Sequence, residues 1–258
     1  MVGFSSIAMG IFPMNITVAK AGHNPLCCAS TPAPPVMITG IPMLLSHRYQ
    51  FLFVHIAKTG GTSVRGALQK YRWRDPYYLP QFIASKMSGW VGHKVAIKLP
   101  RHCKAITAQE MLPREFYNEL FKFAFVRNPW DLQVSSYHHI RRERPHLMLP
   151  DENFEDFLKR KLDPQRPWQY HIDTSITPQS DYLIDLHGNV IVDFIGRYEN
   201  LQADFIHCCK TVGLPEQTLP HKRKATDRAS YRQYYTEETR ELVANHFARD
   251  IELFGYEF

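Results

Sequence analysis

What this 258-residue chain lacks narrows it first. No apolar run reaches the roughly 18 residues that a membrane-spanning helix needs, which excludes stable membrane insertion of that kind. No Cys-x-x-Cys pair is present, which removes the common zinc and dithiol motifs. The five cysteines, Cys27, Cys28, Cys103, Cys208 and Cys209, form two adjacent pairs and a singleton. That spacing gives no disulfide framework and fits a reducing compartment. No internal repeat of solenoid or propeller period is visible. Excess charge is also scarce: 31 Lys and Arg against 25 acids leave +6. A bias that mild suits an anionic ligand without requiring nucleic acid.

The first 42 residues are poor in charge as well, with Lys20 their only Lys or Arg. Pro13, Pro25, Pro32, Pro34, Pro35 and Pro42 break their apolar stretches. No basic residue precedes the apolar core, as a secretory signal would require. Residues 1–42 are read as a disordered extension, or as the product of an upstream start. Residues 43–258 are read as a single domain, long enough for a full α/β core.

What is there is a run of strands and helices in alternation. Phe51-Leu-Phe-Val-His-Ile56 is apolar and β-prone and ends at Gly60 and Gly61, which reads as a buried parallel strand. Thr62 or Ser63 can then cap a helix carrying Val64, Ala67 and Leu68. Residues 71–101 have no clean period and read as loop, with a strand near 95–97. A helix is expected over 107–121, a strand at 123–126 and a helix over 131–142. Residues 145–180 read as an insert with a short helix near 153–161, and a third strand is expected at 190–195. Leu201, Phe205, Cys208 or Cys209 and Val212 share one helical face, with the thiols buried. Val243, Phe247, Ile251 and Phe254 share another, on a helix begun at Thr236 with Glu237 and Glu238 in its first turn. The expected fold is α/β, P-loop-like and three-layered, with a central, mainly parallel sheet flanked by helices.

Two loops that follow strands hold the chemistry. In Ala57-Lys58-Thr59-Gly60-Gly61-Thr62-Ser63 the glycines admit an anion close to the backbone, and the helix N-terminus supplies N–H donors. Lys58 adds a cation, and Thr62 and Ser63 add hydroxyls. The Walker pattern G-x-x-x-x-G-K-[ST] is absent, which weighs against an ordinary ATP site. In Arg127-Asn128-Pro129-Trp130-Asp131 the arginine ends a strand and can grip a phosphate with two N–H groups. Pro129 suits a helix start, and Ser135 lies two turns on.

Taken together, these loops resemble the donor motifs of the sulfotransferases that use 3′-phosphoadenosine 5′-phosphosulfate (PAPS), most closely the carbohydrate group of sulfotransferase family 2. The likeness extends through Phe194-Ile-Gly-Arg-Tyr-Glu-Asn-Leu201 and the ending Asp250-Ile-Glu-Leu-Phe-Gly-Tyr-Glu-Phe258, so it spans about residues 50–258. The resemblance implies that Lys58, Thr59, Gly60, Gly61, Thr62 and Ser63 hold the 5′-phosphosulfate, and that Arg127 and Ser135 hold the 3′-phosphate. It implies transfer of a sulfuryl group to an acceptor hydroxyl without a metal, the acceptor being a glycan or glycoconjugate. Lys58 would then stabilise the charge that grows on the leaving phosphate. Carbohydrate members of the family are often held in the Golgi by an N-terminal anchor. With no such anchor in this sequence the expected localisation is cytoplasmic, with the Golgi lumen or membrane association as the alternative.

A general base should lie between the loops. His102, just ahead of the expected helix at 107, is the first candidate, His93 the second, and another residue, a carboxylate included, the third. His55, inside the strand, reads as a satisfied core histidine. Arg197 and Glu199 read as a structural ion pair. The aromatic residues Trp73, Tyr77, Tyr78, Trp90, Trp168 and Tyr170 suit a sugar, a lipid-linked or a phenolic hydroxyl. The basic stretch 222–228 reads as a solvated loop or as a cover for the ligands. The competing functions are an atypical nucleotide kinase, which should show a Walker loop, and a non-catalytic polyanion binder, which would not need both loops.

Overall fold

The computed structural model describes residues 43–76, 78–90, 99–166, 174–220 and 230–258. Residues 1–42, Tyr77, His93, the strand expected near 95–97, Trp168, Tyr170 and the basic stretch 222–228 lie outside them.

Among the described residues four strands form one sheet in the order β1-β2-β3-β4: β1 (Leu44–Ser46), β2 (Phe51–Val54), β3 (Phe121–Val126) and β4 (Phe194–Arg197). β2, β3 and β4 are parallel, and β1 is an antiparallel edge strand. The mainly parallel sheet is as expected. The β1 hairpin is an addition, because three residues give no period to read.

The period of two decides what each face touches. Phe51, Phe53, Phe123 and Phe125 share one face and pack against α1 (Gly61–Trp73) and α7 (Leu201–Thr211) through Val64, Leu68, Tyr71, Phe205, Cys208 and Cys209. Leu52, Val54, Ala124 and Val126 share the other. There they meet α3 (Ala105–Met111), α4 (Arg114–Glu119) and the end of α9 (Ala248–Phe254). A third cluster joins α5 (Pro129–Glu143), α6 (Phe154–Leu162) and α8 (Glu237–His246) through Trp130, Tyr137, Phe157, Val243 and Phe247.

Several expectations shift. Residues 71–90 are not loop: α1 runs to Trp73, and α2 (Tyr78–Trp90) follows. The helix expected over 107–121 is two, α3 and α4, because Leu112 turns extended ahead of Pro113. The final helix divides at Phe247 into α8 and α9. The third strand starts later than 190; Val190 makes only an isolated bridge to Ile184. Among the described residues no helix is long and apolar enough to cross a membrane.

Candidate active site

Both loops leave the carboxyl ends of neighbouring parallel strands, which is where such a sheet opens a crevice. After β2 the chain turns at Lys58 (φ 67°) and Gly60 (φ 81°). A lysine in the left-handed region is strained, and strain of this kind is held in place by its surroundings. Two contacts hold it here. The Thr59 hydroxyl donates to the Ile56 carbonyl at 3.0 Å, and Arg127 Nη1 donates to the Lys58 carbonyl at 3.0 Å. Thr59 is fully buried, so its hydroxyl ties the loop together. Lys58 itself is half-buried.

α1 does not start on a hydroxyl cap as expected. Gly60 is its N-cap, no side chain caps the helix, and its first turn holds no acid. The Ser63 N–H turns back to the Gly60 carbonyl at 2.9 Å. Among the described residues no side chain accepts from the N–H groups of this helix start, where the positive end of the dipole lies. Gly61 is required by packing: a Cβ there would stand 2.1 Å from His55 Cδ2 and 2.2 Å from His55 Nε2.

α5 differs. The Asn128 side chain accepts from the N–H groups of Trp130 and Asp131, so this helix start is already capped. Arg127 is buried. Its Nε donates to Asp131 at 2.7 Å, and its guanidinium lies 3.9 Å over the Tyr198 ring. A two-pronged grip through Nε would thus have to displace Asp131. Ser135 lies on the second turn of α5, half-buried.

The segment after β4 wedges between the loops. Tyr198 stacks on Arg127, and a Cβ on Gly60 would meet Leu201 Cδ2 at 2.5 Å and Tyr198 Cδ2 at 3.2 Å. Arg197 and Glu199 take other partners than the pair expected. Arg197 donates to the Phe254 carbonyl, while Glu199 accepts from the Asn128 N–H at 2.8 Å and from the Tyr256 hydroxyl at 3.2 Å. The chain end closes the same side. Asn128 Nδ2 donates to the Glu257 carbonyl, and buried Asp250 accepts from the N–H groups of Gln179 and Ser180. Gln179 in turn pairs with the Arg127 backbone through both its amide atoms.

Two histidines, His55 and His102, sit beside the first loop. His55 is buried, and Arg101 Nε donates to its Nδ1 at 3.0 Å. An arginine only donates, so His55 Nδ1 is the acceptor and its proton is on Nε2. Burial, then the neighbouring His102, Arg101 and Arg65, push its pKa down to about 2. His102 Nδ1 faces the His55 carbonyl at 2.9 Å. A carbonyl only accepts, so the Nδ1 of His102 carries the proton and Nε2 holds the lone pair. Burial lowers the His102 pKa, with Arg101 and Arg65 acting the same way against the bond to the His55 carbonyl. The ring is therefore neutral near pH 7 and presents a basic nitrogen.

Arg101 also donates to the Thr62 hydroxyl at 3.3 Å, and buried Arg65 is pushed to about 10, first by burial, then by Arg72 and Arg101. Sequence reasoning missed Arg101 and Arg65. The only signal was the adjacency of Arg101 to His102.

The family model described as the Sulfotransferase family matches residues 42–257. The chain belongs to the sulfotransferase family. It is thus an enzyme of sulfuryl transfer, and the kinase and polyanion-binder readings fall away. An uncharacterized protein of Archaeoglobus fulgidus is 36% identical over 105 residues, which is 40% of this chain and 77% of that one. Two solved structures are similar at a greater distance. A sulfotransferase from Alicyclobacillus acidocaldarius is 17% identical with a TM-score of 0.43, over 81% of this chain and 96% of that one. Mouse sulfotransferase SULT7A1 complexed with PAP is 17% identical with a TM-score of 0.43, over 80% and 86%.

Proposed function

We propose that this sulfotransferase takes its sulfuryl group from PAPS and passes it to a hydroxyl of a carbohydrate. The observation that carries the donor half is the bond from Arg127 Nη1 to the Lys58 carbonyl, which joins two loops 69 residues apart. The uncapped start of α1 suits an anion, and Lys58, Thr62, Ser63 and the glycine backbone surround that helix start. Arg127 and Ser135, at the second loop, are the pair for a second phosphate, which separates PAPS from ATP. Asp131 fixes the guanidinium, so Arg127 would use its remaining N–H groups.

When bound, PAPS supplies the transferable sulfuryl group and a phosphate leaving group. Lys58 and the N–H groups of α1 hold fixed positive charge where the leaving oxygen becomes negative. His102 accepts the acceptor's proton at Nε2, because its other nitrogen is spent on the His55 carbonyl. His93 is the second candidate base. The carbohydrate acceptor rests on the sequence resemblance.

Titration calorimetry with 3′-phosphoadenosine 5′-phosphate tests the donor. Micromolar binding that ATP with Mg²⁺ does not match is expected; equal or tighter ATP binding would overturn the reading. A screen of glycan, phenol and lipid-linked hydroxyls with labelled donor tests the acceptor, and sulfate added only to non-glycans would correct it.

A further inference from the structure

One helix is exposed in a way the transferase reaction does not explain. α2 carries five of the ten large apolar side chains that are exposed among the described residues: Leu79, Phe82, Ile83, Met87 and Trp90. Their spacing of three and four puts them on one sector of the helix. Trp90 is 89% exposed and Leu79 61%. None of the described side chains of α2 is buried. Contiguous exposed apolar patches of this kind mark interaction sites.

The charge around α2 says what it meets. From the end of α1 through α2, residues 70–90 hold four Lys or Arg and one acid. The one acid does not face outward. Asp75 is buried and accepts from the Ser46 hydroxyl and from the N–H groups of His47 and Arg48. Arg72 is 5.2 Å from the Tyr78 ring at the start of α2, and Lys70 and Arg74 are exposed at the end of α1. Lys86 sits within the apolar sector, its ammonium 5.7 Å from the Phe82 ring. A cation amid an apolar stripe disfavours a dry protein interface. It suits a lipid surface, where the stem lies among chains and the ammonium reaches the headgroups.

We propose that α2 is a peripheral docking face for an anionic lipid bilayer, its apolar sector entering the interface and its flanking cations meeting acidic headgroups. This does not rest on the identity of donor or acceptor.

The test is co-sedimentation of the full chain with vesicles of phosphatidylcholine, with and without phosphatidylserine. Binding at least about tenfold tighter to the anionic vesicles is expected, weakening with added salt. Phe82→Ser with Trp90→Ser should abolish it, and Lys70→Glu with Lys86→Glu should abolish it while leaving the apolar sector intact. All four side chains are exposed, so circular dichroism and nucleotide binding should be unchanged. Failure of the wild-type chain to bind anionic vesicles would overturn the proposal. So would equal binding to both vesicles. Sedimentation equilibrium that finds a dimer dissolved by Phe82→Ser and Trp90→Ser, with no vesicle binding, would assign the face to a second copy instead.

Discussion

Gly61→Ala is a substitution whose sign depends on one contact. Within a helix, alanine for glycine ordinarily stabilises by about 0.5–1 kcal/mol. Here the new methyl would stand 2.1 Å from His55 Cδ2, well inside the separation of about 3.5 Å at which carbon atoms touch. Something must therefore move by more than about 1 Å. The ring resists: His55 is 3% exposed, Arg101 holds its Nδ1, and its centroid lies 4.6 Å from that of His102. Overpacking costs about 1–3 kcal/mol, and so deep an overlap belongs at the upper end of that range. Less the ordinary gain from alanine, the expected net loss is about 2 kcal/mol, or a fall of roughly 6 °C in Tm for a domain of this size. Urea denaturation followed by circular dichroism, with Tm by calorimetry, measures it. On a His55→Ala background the same substitution should cost much less, since the clash is gone. A Gly61→Ala protein as stable as wild type would refute the packing argument. Equal costs of Gly61→Ala with and without the His55 ring would do the same.

Four other outcomes are expected. Lys58→Ala should lower turnover far more than it weakens binding of 3′-phosphoadenosine 5′-phosphate, read by single-turnover kinetics beside calorimetry; equal losses would contradict its place at the leaving oxygen. If His102 is the base as proposed, the acid limb of kcat/KM should fall below pH about 6.5, because protonating it removes the lone pair and its pKa is lowered; Arg101→Met should move that limb to higher pH. Stability should decline as pH falls from about 6.5 toward 5, by up to about 1.4 kcal/mol per pH unit from His55. The unfolded chain takes a proton there that the buried ring, at about 2, does not, and His55→Gln should flatten the slope in urea titrations. Gly213→Ala, with open space but φ 69°, should cost only the left-handed penalty of about 1–2 kcal/mol in the same urea measurement.

Strands β2 and β3 and both loops were legible because each is a local pattern: an apolar run, a glycine turn, an arginine at a strand end. The supports were not, because they join residues distant in sequence. Gln179 bonds the Arg127 backbone across 52 residues, and Asn128 reaches the Glu257 carbonyl across 129. The extent of α1 and the presence of α2 were missed for another reason. Phe82 and Ile83 are apolar but face outward, so the period that marks a buried stripe marks nothing buried at those positions. The Arg197–Glu199 pairing failed because closeness in sequence favours a pair, while the folded chain offers Tyr256 and Asn128 to Glu199 instead.

The coupling of the loops follows from the reach of those supports. Lys58 in the left-handed region would relax if left alone, at a gain of about 1–2 kcal/mol. It is kept there by Thr59 from within the loop, by Arg127 from the next strand, and by Tyr198 and Leu201 against Gly60. Arg127 is itself kept by Asp131, Tyr198 and the backbone bonds of Gln179, which Asp250 positions. No single contact here exceeds the strain by much, since one net hydrogen bond is worth about 1 kcal/mol. The conformation therefore depends on the whole set. Asp250 lies far from both loops in sequence, yet it acts on Lys58 through Gln179 and Arg127. The chain end thus helps to shape the Lys58 loop.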